Sequence, residues 1–193
     1  GSDDATPASA TADATAAKSF AALVIIDRDT SVRPVGTGAF RGGNEGEGLG
    51  IGDTIQTSST GFAEIAYFDG SLTRVDRSGE FTLTTLDNTT GARRVEGSLV
   101  GGRAWNRVTK ATGTNDQFEI DTPVATAAVR GTAFAIDCTP TDACTFTIVE
   151  GTVDITPTGG APITVTAPAR ITIQRNTPPP APTPIDAATI NAD

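Results

Sequence analysis

The stretch from Gly50 to Val75, GIGDTIQTSSTGFAEIAYFDGSLTRV, limits the possible folds more than any other part of the chain. Ile55 and Thr57, then Ala63, Ile65 and Tyr67, alternate with Gln56, Glu64 and Ala66. That is the two-residue period of strands with one buried face, and no helical period runs through it. Gly52-Asp53 and Asp69-Gly70-Ser71 interrupt the alternation. Glycine takes positive φ without a side-chain penalty, and Asp and Ser side chains bond nearby amides, so turns are predicted at both places. Leu72 to Val75 follows at once as a further strand.

The same pattern continues downstream. Phe81, Leu83 and Leu86 lead into the turn cluster Asp87 to Gly91; Arg93 to Val100 alternates again. Val149, Gly151 to Ile155 and Ile163 to Ile173 supply more short runs separated by Gly and Pro. About twelve short strands predict an all-β class. A faint repeat narrows the architecture: Ile55-Gln56-Thr57 followed by Ala63 resembles Ile120-Asp121-Thr122 followed by Ala128. Two similar β units stacked on a shared core fit a sandwich or a short, irregular solenoid, and of these a twisted two-sheet β-sandwich with solenoid-like coils is the preferred expectation.

The two ends differ from this middle. Gly1-Ser2 has the look of a cloning scar, and residues 1–18 are otherwise mostly Ala, Thr, Asp and Pro with almost nothing large to bury, which predicts a disordered acidic tether. Residues 19–175 form the predicted β domain, in which Phe20 to Ile26 reads as a buried strand. The tail 176–193 opens with NTPPPAPTP, whose rings fix φ and remove donors, so an extended spacer is expected. The closing IDAATINAD fits a frayed helix or a docking strand. No run of about 18 apolar residues is present. The expectation is a membrane helix upstream of Asp3 in the natural protein.

Charge and missing side chains exclude several functions. With 23 acidic against 14 basic residues, a net charge of -9 and no His, the chain lacks the clustered cations that track phosphates, and no nucleic-acid partner is expected. Acyl-transfer chemistry lacks its commonest base. Lys18 and Lys110 fall in a tail and a loop, where a depressed amine is not expected, and the carboxylates fit exposed strand or turn positions. We therefore expect no enzyme, no cofactor and no metal site: zinc lacks its usual His and Cys set, and the Asp-x-Asp series of a calcium loop is absent.

Cys138 and Cys144 flank a turn-rich loop, with Phe134, Ile136 and Cys138 on one strand face and Cys144, Phe146 and Ile148 on the next. A structural disulfide between them is the expected reading, and such bonds persist in oxidising compartments.

The ordered series of these features resembles the FecR domain of bacterial regulators and envelope proteins. It comprises Gly50, Gly52-Asp53, Ile55 and Thr57; Ala63, Ile65, Phe68, Asp69-Gly70-Ser71 and Val75; Leu99, Gly101 to Trp105 and Val108; Phe118, Ile120, Thr122-Pro123 and Ala125; Arg130-Gly131-Thr132, Phe134 and Ile136; and Val149 to Val153. The resemblance spans roughly residues 20 to 175. It implies a non-catalytic, extracytoplasmic module, membrane-anchored in the whole protein, that senses or relays a signal by binding a protein partner in the cell envelope. A structural or adhesive envelope module that binds a surface polymer or partner is the alternative. The prototype's further C-terminal subdomain, which receives the transporter, has no counterpart after Arg175, so a role outside iron transport is expected.

The candidate contact residues come from the sequence itself. In Gly101 to Val108, Arg103, Trp105 and Arg107 share one strand face, an aromatic between two guanidinium groups, a composition enriched at binding hot spots. The opposite reading places Trp105 in the core with the arginines curling over it. Arg130, ahead of Gly131-Thr132, would bond the turn carboxylate Asp69 or receive a partner's acidic group.

Overall fold

The computed structural model describes residues 21–26, 29–88, 92–139 and 142–186, and among these every regular element is a strand. Seventeen form: β1 (Ala21–Ile26), β2 (Thr30–Arg33), β3 (Arg41–Gly42), β4 (Gly48–Leu49), β5 (Thr54–Thr57), β6 (Ala63–Tyr67), β7 (Leu72–Val75), β8 (Glu80–Asp87) and β9 (Arg94–Arg107). The rest are β10 (Gln117–Asp121), β11 (Ala125–Val129), β12 (Ala133–Thr139), β13 (Ala143–Glu150), β14 (Thr152–Pro157), β15 (Ile163–Thr166), β16 (Ala169–Gln174) and β17 (Thr183–Pro184). The number exceeds the expected dozen partly because β3, β4 and β17 are two residues long, too short to leave a periodic signal. The predicted tether, residues 1–18, and part of the Asp87–Gly91 turn lie outside the described residues.

The ladders fall into two sets. A first sheet runs β4-β1-β6-β7-β9-β12-β13-β16-β17, and a second runs β3-β2-β5-β8-β9-β10-β11-β14-β15. The two are continuous through β9. Its N-terminal half pairs with β8 and β10, and its C-terminal half, from Gly102 on, pairs with β7 and β12. Gly102 sits at φ +78° where the strand passes between the sheets, against the backbone of Ser78 and Gly79. From Arg107 the chain returns and lays β10 parallel to the first half of β9, Phe118 beside Val95. This is one solenoid-like coil, since parallel neighbours require such a crossover.

The repeat seen in the sequence does not carry over to the structure. β5 and β10 both lie in the second sheet, but Ala63 opens β6 in the first sheet and points inward, whereas Ala128 lies on β11 in the second sheet and is half-buried. The five-residue link of the first unit includes Gly61, and Ser58 Oγ accepts the Gly61 N–H, so the chain changes sheets there. In the second unit Thr122 Oγ1 and the Ala125 carbonyl close a tight turn within one sheet.

One core is built from both sheets. Leu23, Ile65, Phe134 and Phe146 enter from the first, and Ile55, Phe81, Ile120 and Ile155 from the second, all fully buried. Tyr67 of the first sheet meets Phe118 of the second edge-on at 5.7 Å, a favoured aromatic geometry. The Tyr67 hydroxyl donates to Thr73 Oγ1 at 3.0 Å, and Thr73 donates in turn to Asn106 Oδ1 at 2.8 Å. Burial pushes the Tyr67 phenol well above its usual range.

The predicted turns form for the predicted reasons. Gly52 takes φ +89°, and the buried Asp53 carboxylate accepts the Val35 and Gly50 amides at 2.8 and 2.9 Å. At the β6–β7 hairpin, Asp69 accepts the Ser71 amide and hydroxyl, both at 2.9 Å. Cys138 and Cys144 are directly opposed in the β12–β13 ladder and bonded, both buried. Reducing them should lower stability by about 2 to 3 kcal/mol on the chain-entropy model, read as a shifted urea midpoint with and without a phosphine reductant.

The Pro-rich tail departs from a free spacer. Thr183 and Pro184 pair with Arg170 and Ala169, and the Ile185 amide donates to the Pro168 carbonyl at 3.2 Å. Pro can sit in a ladder at an edge, where no further neighbour needs its amide.

Candidate functional site

Because alternation along β9 sends Ala104 and Asn106 inward, it turns Arg103, Trp105 and Arg107 onto the outer face of the first sheet. Trp105 is half-buried there, outside the core, and Arg107 is exposed. Register places Arg74 of β7 on one side of Trp105 and Ala135 of β12 on the other. The Arg74 guanidinium lies 4.1 Å from the Phe62 ring centroid and donates to Asp76 at 3.0 Å. Ala135 points outward yet is only 4% exposed, so the longer side chains around it close over it. Beyond it, Arg103, Asp137, Thr145, Thr147 and Arg170 line a shallow depression of about 230 Å³. Arg170 Nε donates to Thr147 Oγ1 at 3.1 Å. The face is an aromatic and guanidinium platform beside hydroxyls and the Asp76 and Asp137 carboxylates.

Asp69 and Arg130 sit elsewhere, around a small pocket lined also by Arg93, Val108 and Asp116. They do not bond each other, the first of the two roles that the sequence offers for Arg130. Arg130 Nη2 donates instead to the Thr114 carbonyl at 2.9 Å, in the return loop between β9 and β10, and the Asp69 oxygens accept from the Ser71 amide and hydroxyl.

The return loop is held by a residue that sequence reading missed. Asp116 is 6% exposed and accepts the Arg93 amide, Nε and Nη2 together with the Thr112 and Gly113 amides, at 2.6 to 3.0 Å. The Arg93 guanidinium first, then those amides, hold its carboxyl far below the usual carboxylate range. The only sequence signal was Asn115-Asp116 in a Gly-Thr loop, a turn composition without a partner. A carboxylate depressed by folding contributes stability that is complete above its unfolded value, about 4, and is lost as pH falls toward the folded value. Asp116→Asn should therefore lower the urea midpoint clearly at pH 7 and 5, and the gap to the parent should narrow below about pH 4. A gap that is constant down to pH 3 would argue against the clamp.

The outer face of the second sheet is also polar. Arg94, Glu119, Arg130, Thr152 and Asp154 line a groove of about 780 Å³. Its acids bond neighbours on the same face, Thr164 donating to Asp154 at 2.7 Å. Among the described residues no group of three or more His, Cys, Asp or Glu is placed to hold a metal ion, and no helix is long and apolar enough to cross a membrane.

These features define an all-β module that offers side chains on open sheet faces. The family model described as FecR protein matches residues 53–154, more than half of the chain, and the chain belongs to that family. Two crystal structures of a candidate anti-sigma factor from Parabacteroides distasonis ATCC 8503, at 1.65 and 2.50 Å resolution, share the fold with TM-scores of 0.58 and 0.59 at 17% identity. Each match covers 72% of this chain and 63% or 62% of the other, so this chain spans less than two thirds of those structures. No curated protein matches it.

Proposed function

We propose that this domain is the extracytoplasmic, non-catalytic part of a membrane-anchored bacterial regulator, and that it relays a signal by binding a protein partner through the face around Trp105. Membership of the FecR family carries the reading. The anti-sigma name attached to the Parabacteroides distasonis structures of the same fold supports it, as does the Cys138–Cys144 bond, which suits an oxidising compartment. The platform of Arg103, Trp105 and Arg107 is the part of the surface with the composition of a contact hot spot.

The test replaces the chromosomal copy in the source bacterium, either by a deletion or by Trp105→Ala with Arg107→Glu, and compares the transcriptomes. The double variant, accumulating at the parent level, should reproduce the transcript changes of the deletion. An unchanged transcriptome in the deletion strain would overturn the regulatory reading. A double variant that behaves like the parent would overturn the assignment of the face.

A further inference from the structure

Between β16 and β17 the chain runs Thr177-Pro178-Pro179-Pro180-Ala181-Pro182, and both ends of this run are fixed. At its start the Arg175 amide donates to the Asp142 carbonyl at 2.8 Å, and the Thr177 amide donates to the Gln174 carbonyl at 3.3 Å. At its end Thr183 and Pro184 pair with Arg170 and Ala169, and Thr183 Oγ1 donates to the Arg170 carbonyl at 3.2 Å. The run therefore travels back along β16 from the level of Gln174 to that of Arg170, a distance of about 13 Å at the rise of a strand. Residues 178–182 cover such a distance in the polyproline II form, at about 3.1 Å each, and not as a helical turn, at about 1.5 Å each. The proline rings hold φ near the value that form needs. Pro178, Pro179 and Ala181 each precede a proline, which keeps them out of the helical region.

Pro178, Pro179, Pro180 and Ala181 are exposed, and Pro182 is half-buried. Of these five residues only Ala181 has an amide N–H, so the run offers ring methylenes and carbonyl oxygens and almost no donor. Beside its first two rings lies a groove of about 340 Å³, lined by Pro178 and Pro179 together with Pro123, Pro157, Gly159 and Gly160. Gly159 leaves open space where a Cβ would stand. Among the described residues, Arg175 is the one charged group in the lining, although the chain carries a net charge of -9. An ionic ligand has little to hold there. What fits apolar rings and bare carbonyls is a flat ring that carries a donor. An indole or phenol side chain stacks on proline and gives its N–H or O–H to a carbonyl.

We propose that residues 178–182 and the groove beside them form a docking strip for a protein partner that presents tryptophan or tyrosine side chains. Fixing both ends of the strip in advance lowers the ordering cost of such binding. The strip flanks β16, on the far side of β12 and β13 from the β9 platform, so the proposal goes beyond the relay function and does not depend on it. The test titrates the isotope-labelled full chain with N-acetyl-tryptophanamide, a neutral indole donor, and with N-acetyl-leucinamide as the comparison, and follows amide resonances by NMR. The indole probe should shift the Thr177, Ala181, Gly159 and Gly160 amides in a saturable way and leave those of β7 and β9 in place, whereas the leucine probe should not. Pro179→Ala with Pro180→Ala should abolish the saturation while the β12 and β13 amides keep the parent positions, which shows that the variant is folded. Equal shifts from both probes, no saturable shift at the strip, or shifts that survive the double substitution would each overturn the proposal.

Discussion

Gly102→Ala should destabilise the domain by about 3 to 5 kcal/mol, among the largest effects open to a single added methyl group. Two costs combine. Gly102 holds φ +78°, where an L side chain is strained, and a Cβ there would stand 2.4 Å from the Ser78 carbonyl oxygen and 2.5 Å from Gly79 Cα. Both obstacles are backbone within a tight turn, so no side chain can swing aside. Gly159 separates the two contributions, because it has φ +74° with open space around it. Gly159→Ala should cost only about 1 kcal/mol, the conformational part alone. Urea midpoints of the two variants measure the difference. Equal losses would mean that the strand passes between the sheets without the close approach described.

Phe81→Ala should cost about 3 to 5 kcal/mol, since the ring is fully buried and its neighbours can collapse only partly. The floor beneath the ring is Gly97, where a Cβ would lie 2.2 Å from Phe81 Cζ. Gly97→Ala alone should cost about 1 to 3 kcal/mol, because the ring is enclosed and has nowhere to tilt. In Phe81→Ala with Gly97→Ala the new methyl enters the space the ring vacates, so the double variant should lose less than the sum. Strict additivity in a double-mutant cycle would refute this pairing of small floor and large ring.

How much of this was legible in the sequence depends on the range of the interaction. Alternation alone put Phe134, Ile136 and Cys138 on one face and Arg103, Trp105 and Arg107 on another, because strand periodicity is local. The disulfide followed from the same faces. A Gly-Gly pair can close a turn or bend a strand, and Gly101-Gly102 bends a continuous 14-residue strand. Nothing local distinguishes the two, since the deciding contact is with Ser78 and Gly79. Asp116 was invisible for the same reason, with Arg93 lying 23 residues away. The second half of the Trp105 platform, Arg74 and Phe62, reaches it only through the β7–β9 register.

One strand serving two layers has a mechanical outcome. In a stack of separate sheets, each layer can slide while the other stays still. Here Trp105 and Glu96 are carried on the same peptide rod, one on each layer. Sliding one sheet past the other would therefore load the covalent backbone of β9 at its Gly102 bend, and not noncovalent contacts alone.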